Sequence, residues 1–86
     1  MPYITKEERQ RLDSNIATGL DNPGELNYVI SKIVHSYIAE RGLSYAAINE
    51  VIGVLECAKL ELYRMVAAPY EDKKRKENGP VSRLDT

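Results

Sequence analysis

Apolar residues concentrate in two runs with helical spacing. In the first, Leu26, Val29, Ile30, Ile33, Val34, Tyr37 and Ile38 recur at steps of three and four, a band wide enough to face more than one neighbour. In the second, Ile48, Val51, Ile52, Leu55, Leu62 and Val66 form the main stripe, with Ala46, Gly53, Cys57 and Ala58 as small surfaces beside it. Gly53 costs a helix roughly 1 kcal/mol against alanine, so a close crossing by another helix is expected there.

Boundary signals fit these runs. Asn22 is placed as an N-cap, Pro23 stands at the first helical position where its missing N–H is harmless, and Glu25 follows three past the cap. Arg41-Gly42 closes that helix with a cation in the last turn and a residue that tolerates the left-handed conformation. Ser44 caps the next helix after a connection too short for anything but an antiparallel neighbour. The pattern therefore predicts a helical hairpin, one helix from about Pro23 to Arg41 and a longer one from about Tyr45 to Ala67.

Shorter elements flank the hairpin. Thr5 and Glu8 have capping-box spacing, so a short first helix begins at Lys6. Its stripe, Leu12, Ile16 and Leu20 with Ala17 beside them, is narrow, and Gly19 suits its carboxyl end. Pro69 is expected to end or kink the long helix, with Ala68 bent away from helical geometry. A short final helix opened by Pro69 then runs to Gly79, its acids first and its bases last. The fold class is all-α: one helical domain over 1–79 and a disordered tail over 80–86, with no internal repeat.

Composition changes this picture in one respect. The chain has 86 residues, 43% of them hydrophobic, with six tyrosines but no phenylalanine and no tryptophan. A core of Ile, Val, Leu and Tyr supplies little bulk, and a chain this short buries only about 60–65% of the surface its unfolded form exposes. A helical-bundle homo-oligomer is the expected state.

Charge and chemistry then narrow the function. Twelve Lys and Arg against thirteen Asp and Glu give a net charge of −1, which lacks the broad positive field that a long nucleic acid requires. The single cysteine, Cys57, has no intramolecular disulfide partner, as suits a reduced cytosolic protein. The amino terminus has no signal-peptide pattern and no run has the length of a membrane span, so the expected place is the cytoplasm.

The only histidine, His35, has no nucleophile or further ligand placed near it and is read as a partly exposed helix residue. Glu50, Glu56 and Glu61 are not spaced at three or four, which argues against the paired magnesium ligands of an all-α nucleotide pyrophosphohydrolase. No metal, no cofactor and no catalytic residue are assigned.

Three features keep a small-ligand reading open. Lys73-Lys74-Arg75-Lys76 is flanked by Glu71, Asp72 and Glu77 and reads as a solvated helix end, yet bases so grouped are able to grip one or two phosphates. The amino end of the second helix offers backbone donors to an anion. Tyrosine is favoured where a surface is buried only on assembly or ligand binding. Tyr37 and Tyr45 flank the hairpin turn as structural residues, Tyr63 and Tyr70 bracket the Pro69 bend, and Tyr3 and Tyr28 stand near helix starts. Rings beside Lys32, Lys59 or Arg64 suit base stacking with phosphate pairing.

Two stretches carry a resemblance. Asn22-Pro23-Gly24-Glu25-Leu26-Asn27-Tyr28, and Ile48 through Arg64 (INEVIGVLECAKLELYR) continued by Ala68-Pro69-Tyr70-Glu71-Asp72-Lys73-Lys74, resemble a family of short proteins frequent in bacteriophage genomes and of unknown function. The resemblance implies a phage setting and brings no functional residues. More loosely, a helical hairpin ending in Arg, small residues and Pro is similar in shape to phage anti-CBASS proteins, compact oligomers that sequester cyclic nucleotides.

The resulting expectation is a non-enzymatic, homo-oligomeric phage accessory protein of the infected host's cytoplasm. It would sequester a small phosphorylated ligand, such as a nucleotide second messenger of host immunity, through Tyr28, Lys32, Lys59, Arg64 and Tyr70. The alternative is a helical adaptor or inhibitor that binds a host enzyme, and an enzymatic role stands third.

Overall fold

The structure is a computed structural model that describes residues 4–16 and 18–85. Tyr3 and Ala17, named above, lie outside the described residues. The described elements are four α-helices, α1 (Lys6–Asp13), α2 (Pro23–Arg41), α3 (Tyr45–Leu62) and α4 (Ala68–Asn78). A π turn (Tyr63–Ala67) joins α3 to α4 and a 3-10 turn (Arg83–Asp85) follows. The fold class is all-α. Internal contacts divide the chain into two compact units, Met1–Tyr37 and Ile38–Thr86, with the boundary inside α2.

In the first unit, α1 begins where the capping signal puts it, with the Glu8 N–H donating to Thr5 Oγ1 at 3.1 Å. It ends at Asp13, well short of Gly19. The Asn15 N–H donates to the Leu12 carbonyl only three residues back, and the Ser14 hydroxyl donates to the Arg11 carbonyl at 3.5 Å. Serine and asparagine compete for backbone hydrogen bonds in this way and end helices that have little packing to hold them. Leu12 is the one large aliphatic residue in α1, so no apolar face carries the helix on to Ile16 and Leu20.

The start of α2 is fully capped. The Glu25 N–H donates to Asn22 Oδ1 at 2.9 Å, and Asn22 Nδ2 donates to Glu25 Oε2 at 2.8 Å. Glu25 Oε1 also accepts from the Asp21 N–H at 3.3 Å. The carboxylate thus satisfies the N–H of the residue before the cap and the side-chain amide of the cap itself, a variant of the capping box.

Helix α2 closes at Gly42, whose φ of +90° only glycine adopts without strain. Its N–H donates to the Ile38 carbonyl at 2.9 Å, the single bond of the left-handed terminator. Helix α3 opens at once, with the Ala47 N–H donating to Ser44 Oγ at 3.1 Å.

In the second unit the helical path does not break at Pro69. Ala68 has φ −62° and ψ −47°, squarely helical, and its N–H donates to the Tyr63 carbonyl five residues back. The expected bend at Ala68 is therefore corrected. A proline ring clashes with the carbonyl four residues before it, and a π turn loosens the helix by one residue ahead of that ring. Helix α4 then runs to Asn78 and stops at Gly79, φ +85°, as its signals predict. Past it, where a disordered tail is expected, the chain makes the local turn at Arg83–Asp85.

In the second unit α3, the π turn and α4 follow one another as a single helical path, and the contacts between these elements are those of successive turns. Among the described residues the buried apolar side chains are Ala47 and Val51, one turn apart on α3. Most of the expected core is uncovered: Leu26, Ile30, Ile33, Tyr37, Ile52, Leu55, Leu62 and Val66 are exposed, while Val29, Val34, Ile38 and Ile48 are half-buried. Gly53 also departs from expectation, since a Cβ built on it meets nothing within 4 Å. The close crossing expected there is not found among the described residues.

Candidate functional site

Two exposed tyrosines carry a lysine one turn on. In the first unit, Lys32 Nζ stands 5.8 Å from the centre of the Tyr28 ring, and Tyr28 is 62% exposed. In the second, Lys74 Nζ stands 5.6 Å from the Tyr70 ring centre, and Tyr70 is 60% exposed. Both pairs follow from helical spacing, which puts side chains four apart on one face. The ammonium sits on the negative ring face, a contact of about 0.5–1 kcal/mol at an exposed site.

Of the expected ligand residues, Tyr28 and Lys32 are thus brought together. Tyr70 is paired instead with Lys74, a residue of the basic run expected to form a solvated helix end. The signal was present, since Tyr70 and Lys74 have the same spacing as Tyr28 and Lys32. Lys59 is ion-paired to Glu56 Oε1 at 3.3 Å with both side chains largely exposed. Arg64 projects from the π turn and is exposed. Across that turn the Tyr63 hydroxyl donates to Glu71 Oε2 at 3.5 Å, so the turn that accommodates Pro69 also brings a phenol to a carboxylate eight residues on.

Concave surface occurs elsewhere. A groove of about 530 Å³ in the first unit is lined by Thr18, Gly19, Leu20, Asp21, Asn22, Pro23 and Leu26. It opens beside the amino end of α2, yet the Glu25 N–H there is already held by Asn22 and the Asp21 N–H by Glu25. A Cβ on Gly24 would meet Asn22 Oδ1 at 3.3 Å, so this glycine leaves room for the capping side chain. In the second unit a groove of about 500 Å³ is lined by Asp72, Arg75, Lys76 and Pro80, two cations facing one carboxylate. None of the five expected ligand residues lines either groove.

Ionisable groups give one further contact set. Asp85 accepts from the N–H groups of Val81 at 3.1 Å and Ser82 at 3.0 Å, and these bonds, Ser82's first, hold its carboxyl below the ordinary 3.8. Among the described residues, no three His, Cys, Asp or Glu side chains are grouped as a metal site. His35 and Cys57 are both exposed. No helix among the described residues is long and apolar enough to cross a membrane.

Fold and surface together define a small all-α protein in which much of the apolar surface of α2 and α3 is exposed, and in which α2 and α4 each carry one tyrosine–lysine pair. The chain belongs to the family described as a domain of unknown function, DUF6899, whose model matches residues 1–81. No curated protein matches its sequence, and no solved structure matches its fold.

Proposed function

We propose that this chain is a non-enzymatic, homo-oligomeric phage protein that sequesters a small phosphorylated ligand in the cytoplasm of the infected host. A nucleotide second messenger of host immunity is the ligand class that fits. The observation that carries this reading is the pair of exposed rings, Tyr28 and Tyr70, each with a lysine ammonium beside its face. An aromatic face stacks on any base, for about 1–3 kcal/mol. A phosphate next to the stacked base draws the ammonium off the ring, exchanging a weak exposed contact for a stronger charge-assisted one. Arg64, on the turn before Tyr70, supplies a planar donor for a second phosphate oxygen. Lys59, held by Glu56, has the smallest claim among the five.

A thermal-shift screen against cyclic di- and trinucleotides and ADP-ribose derivatives tests this. A ligand that binds only the folded state raises the midpoint, and ligand at about 100 times Kd adds about 2.7 kcal/mol. The expected result is a rise of several degrees with one nucleotide class that is lost in Arg64→Ala and Tyr70→Ala.

The exposed stripes of α2 and α3 favour a second reading, an adaptor or inhibitor that presents an apolar helical face to a host enzyme. No shift with any nucleotide, together with a host enzyme co-purifying in stoichiometric amount, selects it. Magnesium-dependent release of pyrophosphate from nucleoside triphosphates would sink both.

A further inference from the structure

Along α3, Ile48, Ile52, Leu55, Lys59 and Leu62 recur at alternating steps of four and three, the repeat of a coiled-coil seam. This is not the stripe the chain covers for itself. Ala47 and Val51 lie about 80° round the helix from the seam's centre at 100° per residue. Ile52, Leu55 and Leu62 are 59%, 42% and 61% exposed. The π turn beginning at Tyr63 rotates later residues out of line, so the seam belongs to α3 alone and is roughly 22 Å long.

We infer that this seam is the docking surface for a second copy of the chain, laid antiparallel, an inference that rests on the homo-oligomeric part of the reading above. The charge pattern selects the occupant and its direction. The seam is apolar at both ends, Ile48 and Ile52 at one and Leu62 at the other, and carries the Glu56–Lys59 ion pair at its middle. A two-fold axis near Cys57 maps Ile52 onto Leu62 of the second copy and Leu55 onto Lys59 of the second copy. The two Glu56 and two Lys59 then gather around the axis with signs alternating. A parallel pair instead sets Lys59 directly against Lys59, like charge on like charge in the centre of the seam. One face that is complementary to itself under a two-fold operation is what a closed dimer requires. A single lysine at a seam position fixes register and direction at some cost in stability.

Sedimentation of the full chain over a wide concentration range tests this. The wild type is expected at twice 9.7 kDa. Leu55→Lys, which sets a cation against Lys59 of the second copy, is expected to weaken association by about tenfold or more. Leu55→Glu, which offers that lysine a carboxylate, is expected to weaken it less. Lys59→Leu removes the central charge and is expected to tighten association by about tenfold or more. That variant keeps the idea falsifiable even where Leu55→Lys fails to fold.

A monomer at every concentration, or a dimer that Lys59→Leu leaves unchanged, overturns the seam. Equal losses from Leu55→Lys and Leu55→Glu overturn the antiparallel direction. A monomer that nucleotides still stabilise overturns the seam and leaves the ligand reading standing, whereas an antiparallel dimer blind to every nucleotide supports the seam and removes the ligand.

Discussion

Pro23 and Pro69 sit in two regions with similar local spelling and opposite outcomes. Each is followed within two residues by glutamate, Glu25 and Glu71, and each reads as the first residue of a helix. At Pro23 the chain before it is irregular, so nothing upstream obstructs the ring, and Asn22 supplies a cap that Glu25 completes. At Pro69 the chain before it is already an eighteen-residue helix. No side chain caps α4 at Ala67, and the helix continues by widening into a π turn. A proline thus begins a helix where the preceding backbone is free, and deforms one where a long helix leads into it.

The largest expected effect removes that difference. Pro69→Ala restores an N–H donor and removes the ring, so the π turn is expected to relax to ordinary helix, turning α4 about its axis by roughly one residue's 100°. A helix-interior proline costs about 3 kcal/mol. The π turn recovers part of this, so a gain of about 1–2 kcal/mol in a denaturant titration is the expected outcome. Loss of the Tyr63–Glu71 contact, read from the Tyr63 ring resonances, reports the relaxation itself. A variant less stable than wild type would mean that the π turn is held by something other than Pro69.

The matching change at the first proline acts on its cap. Asn22→Ala leaves the Glu25 N–H without its acceptor and is expected to cost about 1 kcal/mol, with faster amide exchange confined to the first turn of α2. An equal loss of protection along the whole of α2 would show that this helix depends on its cap far more than α4 does.

Gly53 sharpens the comparison from the middle of α3. Open space surrounds it in the chain, so Gly53→Ala is expected to stabilise the helix by about 0.5–1 kcal/mol. A loss instead would reveal a close neighbour in the assembly.

The smallest effect lies at the 3-10 turn, where Asp85 caps N–H groups as Asn22 does at α2. Its carboxyl titrates below the ordinary 3.8, so the turn gains stability above that value and loses it as pH falls through the lowered one. The Val81 and Ser82 amide resonances are expected to shift together in that acid window while those of α2 stay in place.

Legibility followed the range of the interactions involved. The helix starts at Lys6, Pro23 and Tyr45 and the stops at Gly42 and Gly79 were readable, because a cap or a left-handed glycine acts within a few residues of itself. The end of α1 was misread because Leu12, Ile16 and Leu20 keep helical spacing without enough area to hold a helix, and Ser14 and Asn15 then prevail. In the candidate site, the Tyr28–Lys32 pair was readable as one turn of helix. The Tyr70–Lys74 pair follows the same rule and was hidden by the reading of the basic run as solvated surface.

By itself, then, the sequence determined an all-α chain, the positions of its caps and the side chains that meet one turn apart, all of them short-range consequences of spacing and backbone chemistry. Only the tertiary structure decided that Pro69 widens the helix instead of ending it, that Gly53 faces open space, and that Ala47 and Val51 are covered while Ile52, Leu55 and Leu62 are not. An apolar stripe has the same spacing whether or not anything lies against it, because burial depends on neighbours that periodicity does not encode.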